Sequence, residues 1–177
     1  RRVLFRSVSN LIVEGEVTVN GERACSAGGI CGMLIGKIEF CRFNGTVSST
    51  TTNNIMRNCA GGITGDFGGM PTITGCIANA TVTISGGEAS YTGAGGLAGH
   101  INGTDCTYSA WNSGGTSDMI GLNTNKEGST GTGNKPFTSI TELNGLLNGI
   151  NNGVSTSTCI WQAGSGGTDY PILVPRN

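Results

Sequence analysis

Gly28-Gly29-Ile30-Cys31-Gly32, Gly61-Gly62-Ile63-Thr64-Gly65 and Gly95-Gly96-Leu97-Ala98-Gly99 decide how this chain is read. The same five-residue word recurs at offsets of 33 and 34 residues: a glycine pair, an aliphatic residue, a variable residue and a third glycine. A period of that length marks a repeat architecture. Adjacent glycines permit positive φ and close backbone approach, so Gly28, Gly29, Gly32, Gly61, Gly62, Gly65, Gly95, Gly96 and Gly99 read as corners between strands.

A second element follows each copy: Cys41-Arg42-Phe43-Asn44-Gly45, Cys76-Ile77-Ala78-Asn79-Ala80 and Cys106-Thr107-Tyr108-Ser109-Ala110, with Leu11-Ile12-Val13-Glu14-Gly15 as a partial earlier copy. The spacing predicts one column of small residues (Gly15, Gly45, Ala80, Ala110) and one of Cys41, Cys76 and Cys106. Leu11 in that second column marks an apolar slot, so its thiols read as small buried hydrophobes. Cys25 and Cys59, each two residues after an arginine, read as a further column. A disulfide between stacked coils is the open alternative, because neighbouring strands lie about 4.8 Å apart.

Composition points the same way. Gly, Ser, Thr and Asn make up about half of the 177 residues, while charged residues are 12% and aromatics 6%. Glu16-Val17-Thr18-Val19 and Ala80-Thr81-Val82-Thr83-Ile84 alternate with the two-residue period of a strand. With only 36% hydrophobic residues, a stacked coil that buries one row of aliphatics per turn fits better than a two-layer core. The expectation is an all-β fold, a β-solenoid of about four short coils, with a β-prism or sandwich of the same strands as the alternative.

The organisation predicted is fourfold. Residues 1–7 (Arg1-Arg2-Val3-Leu4-Phe5-Arg6-Ser7) resemble an in-frame translation of a sequencing adaptor and are set aside as a scar, which implies a longer chain upstream. Without Arg1, Arg2 and Arg6, 7 basic side chains face 11 acidic ones, a formal charge of −4. Residues 8–112 form the repeat domain. Residues 113–135 read as a loop or imperfect coil, with a brief Met119-Ile120-Gly121-Leu122. Residues 136–177 read as a cap. There Ile140, Leu143, Leu146, Leu147 and Ile150 keep helical spacing, Ser139 and Glu142 make a capping box, and Cys159-Ile160-Trp161 and Tyr170 to Val174 make two strands. Such a unit would cover an open solenoid end.

Most chemistry is excluded by pattern. A phosphate loop needs a helix after its glycines, and here another strand-like stretch follows. Met33 and His100 stand where Asp66 does in the other copies, so no aspartate ladder for calcium forms. There is no Cys-x-x-Cys and one histidine, which disfavours zinc. His100 has no nucleophile or carboxylate assigned to it by spacing, and the acids stand singly. Basic patches with interleaved aromatics are absent, as are apolar runs of about 20 residues, so neither nucleic acid nor a membrane span is indicated. Catalytic, cofactor and metal sites are therefore expected to be none. Tyr108 and Trp111, at the end of the third copy, are the candidate ligand contacts, with stack closure as their structural role. Asn44, Asn79 and Asn102 open Asn-x-Thr triplets and read as turn or ladder asparagines.

The glycine word with its cysteine element resembles the GLUG-motif repeat family, glycine-rich repeats of bacterial surface and secreted proteins described as adhesin-like. The resemblance covers residues 9–112. At the variable position, where the family usually carries a large hydrophobic residue, this chain has Cys31, Thr64 and Ala98. The resemblance implies an extracellular or cell-surface location, a non-enzymatic binding or spacer surface, a host, cell-surface or glycan ligand, and neighbouring domains in a longer chain. A carbohydrate-binding module is the alternative, and a fragment of a β-helix glycan-cleaving enzyme the second alternative.

Overall fold

A computed structural model describes residues 7–68, 71–102, 105–124 and 131–177. The chain is a β-solenoid. Its first coil contains β1 (Ser7–Ser9), β2 (Ile12–Gly21), β3 (Cys25–Gly28) and β4 (Cys31–Leu34). The second contains β5 (Lys37–Glu39), β6 (Arg42–Thr51), β7 (Asn58–Gly61) and β8 (Thr64–Phe67). The third contains β9 (Thr72–Thr74), β10 (Ile77–Ser85), β11 (Thr92–Gly95) and β12 (Ala98–Ile101). The fourth has β13 (Asp105–Thr107), β14 (Ala110–Asn112) and β15 (Ile120–Asn123), and β16 (Lys135–Phe137) starts a further turn. Equivalent strands stack in parallel into four sheets: a (β1-β5-β9-β13), b (β2-β6-β10-β14-β16), c (β3-β7-β11) and d (β4-β8-β12-β15). Three coils are complete, and the fourth lacks a strand in sheet c. Ser7, the last residue of the predicted scar, pairs with Lys37, and residues 1–6 lie outside the described residues.

The glycine word is the corner from sheet c to sheet d, and Gly28 and Gly61, then Gly61 and Gly95, are in register. None of its nine glycines uses positive φ. Close packing is what requires glycine there. A Cβ on the second glycine of each word would strike the inward side chains of sheet b: Phe43 Cδ1 at 2.5 Å from Gly29, Ala78 Cβ at 2.8 Å from Gly62, and Trp111 Cγ at 2.6 Å from Gly96. A Cβ on the third glycine would meet the backbone of sheet c, at 2.6 Å for Gly65 against Ala27 N and 2.5 Å for Gly99 against Ala60 N. Sheet c therefore lies between sheets b and d with only small side chains, and all four residues of β7 are buried. Asn58 ties the turn from b to c, its amide donating to Ser49 O (3.2 Å), Ser85 O (2.8 Å) and Gly86 O (3.1 Å).

Two predicted columns shift in the observed register. Gly15, Gly45 and Ala80 stack as expected, but Ala110 pairs with Ile77. Cys106 accordingly pairs with Ile73, not Cys76. The slot beside Cys76 goes to Ser109, whose buried hydroxyl accepts from Cys76 N (3.0 Å) and donates to Thr107 O (3.0 Å). A small polar residue with both needs met fills a thiol's place, so the Cys-x-x-x-Ala spacing gives no register there. Cys25 pairs with Asn58, and Cys59 with Ser26, because Cys59 stands one residue nearer its glycine pair than Cys25 does. No disulfide links the described cysteines, and Cys25, Cys41, Cys59, Cys76 and Cys106 are buried.

The outer face of sheet b carries the asparagine ladder. Asn79 donates to Asn44 Oδ1 (2.7 Å) and Asn112 to Asn79 Oδ1 (2.8 Å), while Asn102 takes no part in it. Within the predicted loop or imperfect coil, Asp118 and Met119 accept the corner hydrogen bonds of Gly96 and Leu97 and β15 joins sheet d, while residues 125–130 lie outside the described residues.

The C-terminal unit has its predicted elements: α1 (Ile140–Gly153), and an antiparallel pair of β17 (Cys159–Gln162) and β18 (Ile172–Pro175). Ser139 Oγ accepts from Glu142 N (3.2 Å), but the return bond to Glu142 Oε2 comes from Thr138 N (2.8 Å). The unit lies along the side of the stack, where a cap over its open end was expected. Leu143, Leu147, Ile150 and Trp161 form a second core with Phe40, Ile77, Ala110 and Phe137, and Trp161 Nε1 donates to Gly75 O (2.7 Å). The reason is an apolar stripe on the outside of the corner from a to b, built by residues of three successive coils. Arg42 adds a polar clasp: it bonds Pro171 O and Glu14, and its guanidinium lies 5.1 Å from the centre of the Tyr170 ring.

Candidate functional site

Stacking brings together residues far apart in sequence. On sheet d, Met33 pairs with Asp66, and the register of Ala98 on Thr64 sets His100 beside Asp66. His100 Nδ1 lies 2.6 Å from Asp66 Oδ1, and both residues are almost wholly buried. Arg57, in the turn before β7, donates through Nη1 to Asp66 Oδ2 (2.9 Å) and Oδ1 (3.2 Å), and Phe67 N donates to Oδ1 (2.8 Å). Burial works to raise the Asp66 pKa, but hydrogen bonds from His100 and Arg57 outweigh it and hold the carboxyl below its usual value. An ionised Asp66 only accepts, so Nδ1 of His100 carries the proton in this contact. His100 Nε2 faces the Thr124 hydroxyl at 3.0 Å, and Thr124 itself is exposed. Spacing assigned His100 no partner, but the fold sets a carboxylate and a hydroxyl beside its ring. The signal was present: Asp66 and His100 hold the same place in successive repeats, and in a parallel stack the same place means neighbours about 4.8 Å apart.

The same cluster reaches the interior. Cys59, buried in β7, is pushed up to about 12 by burial, and by the nearby Asp66 charge. Among the described residues no three histidine, cysteine, aspartate or glutamate side chains gather as a metal-binding group. No described helix is long and apolar enough to cross a membrane.

The two candidate aromatic contacts part company. Tyr108 is clamped: a Cβ on Gly153 or Gly133 would collide with its ring, and it packs on the second core. Counted from the cysteine of each copy, Trp111 would fall in the column of Thr46 and Thr81. It instead follows Phe43 and Ala78 on the inward face of sheet b, and it covers Gly96. There it borders a groove of about 470 Å³ on the fourth coil, together with Asp118, Met119, Ile120, Asn123 and Asn134. The indole Nε1 donates to Ser117 O (3.4 Å). The Asn134 amide in that lining is engaged at both ends, its Oδ1 accepting from Ser109 N (3.0 Å) and its Nδ2 donating to Cys106 O.

No protein-family model matches the chain, and no curated protein matches it. Among solved structures it is similar to "a putative immunoglobulin A1 protease from Bacteroides ovatus", at 19% identity and a TM-score of 0.49, over 94% of this chain and 57% of that one. The chain spans little more than half the length of that protein.

Proposed function

We propose that this solenoid is a repeat module of a bacterial surface or secreted protein, of the adhesin-like GLUG type, and that it binds a glycan in the groove at the fourth coil. The observation that carries the reading is the groove on the fourth coil, whose lining includes Trp111, Asp118 and Asn123. The ordered stack would act as a rigid spacer that presents this groove. Location outside the cell and neighbouring domains belong to the same proposal and rest on the repeat pattern. Glycan-array binding of the chain, followed by calorimetry on the best ligand, tests it. Trp111→Ala is expected to weaken binding at least tenfold, and Asp118→Asn to weaken it less. Unchanged affinity in a folded Trp111→Ala protein would refute the groove.

A second reading, a piece of a β-helix enzyme, is favoured by the contact of Asp66 with His100. Among the described residues one carboxylate bonds the imidazole, an arrangement suited to activating a hydroxyl. Glycoside cleavage by two carboxylates needs a second acid beside the first.

A further inference from the structure

We infer that Asp66, His100 and Thr124 form a hydroxyl-activating relay that transfers the acyl group of a carboxylic ester. Three relationships support it. Asp66 Oδ1 and His100 Nδ1 are 2.6 Å apart, and His100 Nε2 and Thr124 Oγ1 are 3.0 Å apart, so the imidazole bridges carboxylate and hydroxyl through opposite nitrogens. The base is held rigidly, because His100 and Asp66 are buried and Asp66 is also fixed by Arg57 Nη1 and Phe67 N. The hydroxyl is at the surface, and Ile101 O holds Thr124 in place, accepting from its N–H (3.1 Å) and, at 3.4 Å, as the longer alternative acceptor for the hydroxyl itself. A buried acid and base that end on an exposed hydroxyl are arranged as a nucleophile with its general base and the group orienting that base.

The step balances without a further reagent. Thr124 Oγ attacks the ester carbonyl carbon while its proton passes to His100 Nε2. The carbon–oxygen bond to the alcohol breaks, and the alcohol leaves with the proton from Nε2. Water then attacks the acyl-threonine, Nε2 takes a proton from it, and Thr124 recovers that proton as the carboxylic acid departs. Asp66 orients the ring and offsets its transient positive charge. Arg57 shares the same carboxylate, so it positions Asp66 and also weakens that compensation.

The test uses the full 177-residue chain with 4-nitrophenyl acetate, recording nitrophenolate release and locating the acetyl adduct by peptide mass spectrometry. Acetylation of the Thr124 peptide is expected in the native protein, none in Thr124→Ala, and retained turnover in Thr124→Ser. His100→Ala is expected to slow acylation by about 100-fold or more, the range of general-base catalysis. Thr124 is exposed, so its variants report even if the His100 variant fails to fold. His100 is the only histidine, so its ring nitrogen NMR shifts read the tautomer directly. A proton on Nδ1 is expected, with that preference reduced in Asp66→Asn. Nitrophenolate release unchanged in Thr124→Ala, or an adduct only on lysines, would overturn the inference.

Discussion

The Cβ of Ala78 lies 2.8 Å from where a Cβ on Gly62 would stand, and the carbonyl oxygen of Gly96 blocks the same space from the next coil. Backbone cannot yield as a flexible side chain can. Gly62→Ala is expected to destabilise the fold by about 1–3 kcal/mol or more, the cost of overpacking a filled interior. A urea titration checks it: the midpoint should fall with an unchanged slope. A midpoint equal to that of the parent would mean the coil spacing is looser than the register implies.

Gly145 makes the opposite case. It sits exposed in α1, at negative φ, with nothing within 4 Å of an added Cβ. Gly145→Ala is expected to stabilise the fold by about 0.5–1 kcal/mol, because it restricts the unfolded chain and raises helix propensity. The melting temperature should rise by about 1–4 °C. A fall would point to an unseen requirement at that helix face.

Repeats are legible where side chains answer to stacking and obscure where they answer to anything else. The glycine words gave the corners because backbone contact at Gly28, Gly61 and Gly95 admits no other residue. The column of Gly15, Gly45 and Ala80 was legible for a similar reason. Cys106 misled, because an interior slot accepts cysteine, isoleucine or a satisfied serine alike, so residue type does not fix register. The place of the C-terminal unit was hidden: Phe40, Ile77 and Ala110 look inward in a period-two reading, yet corners and strand starts turn them outward together. The Asp66–His100 contact was half visible. Their shared repeat position was in the sequence, while Arg57 and Thr124 come from turns that lie outside the repeated words.

Thiol reactivity should divide the cysteines. Cys59 is pushed up to about 12 and Cys76 well above the usual thiol range, both chiefly by burial. The thiolate is the reacting species, so both should resist alkylation at pH 8 in the folded protein. Iodoacetamide with peptide mapping should find partly exposed Cys159 labelled first, with Cys59 and Cys76 labelled only in denaturant. Rapid labelling of Cys59 in native buffer would show that sheet c opens readily.

Asp66 should set an acid limit on stability. Its folded pKa lies below the unfolded value of about 3.9, so its contribution is fully present above that pH and is lost as pH falls through the folded value. The groups that face it are His100 from β12 and Arg57 from the turn before β7. Asp66→Asn removes this contribution and leaves Arg57 without its carboxylate. Arg57 is about a third exposed, so solvent screens it, and the loss at pH 7 is expected to be about 1–3 kcal/mol, below that for a fully buried pair. Denaturant midpoints measured from pH 7 down to pH 2 check both parts. The variant should start lower and decline less between pH 4 and pH 2 than the parent, because both species then lack the ionised carboxylate. Parallel curves across that interval would show that the fold does not hold the Asp66 carboxyl below its unfolded value, and the ionic reading of the cluster would fail with it.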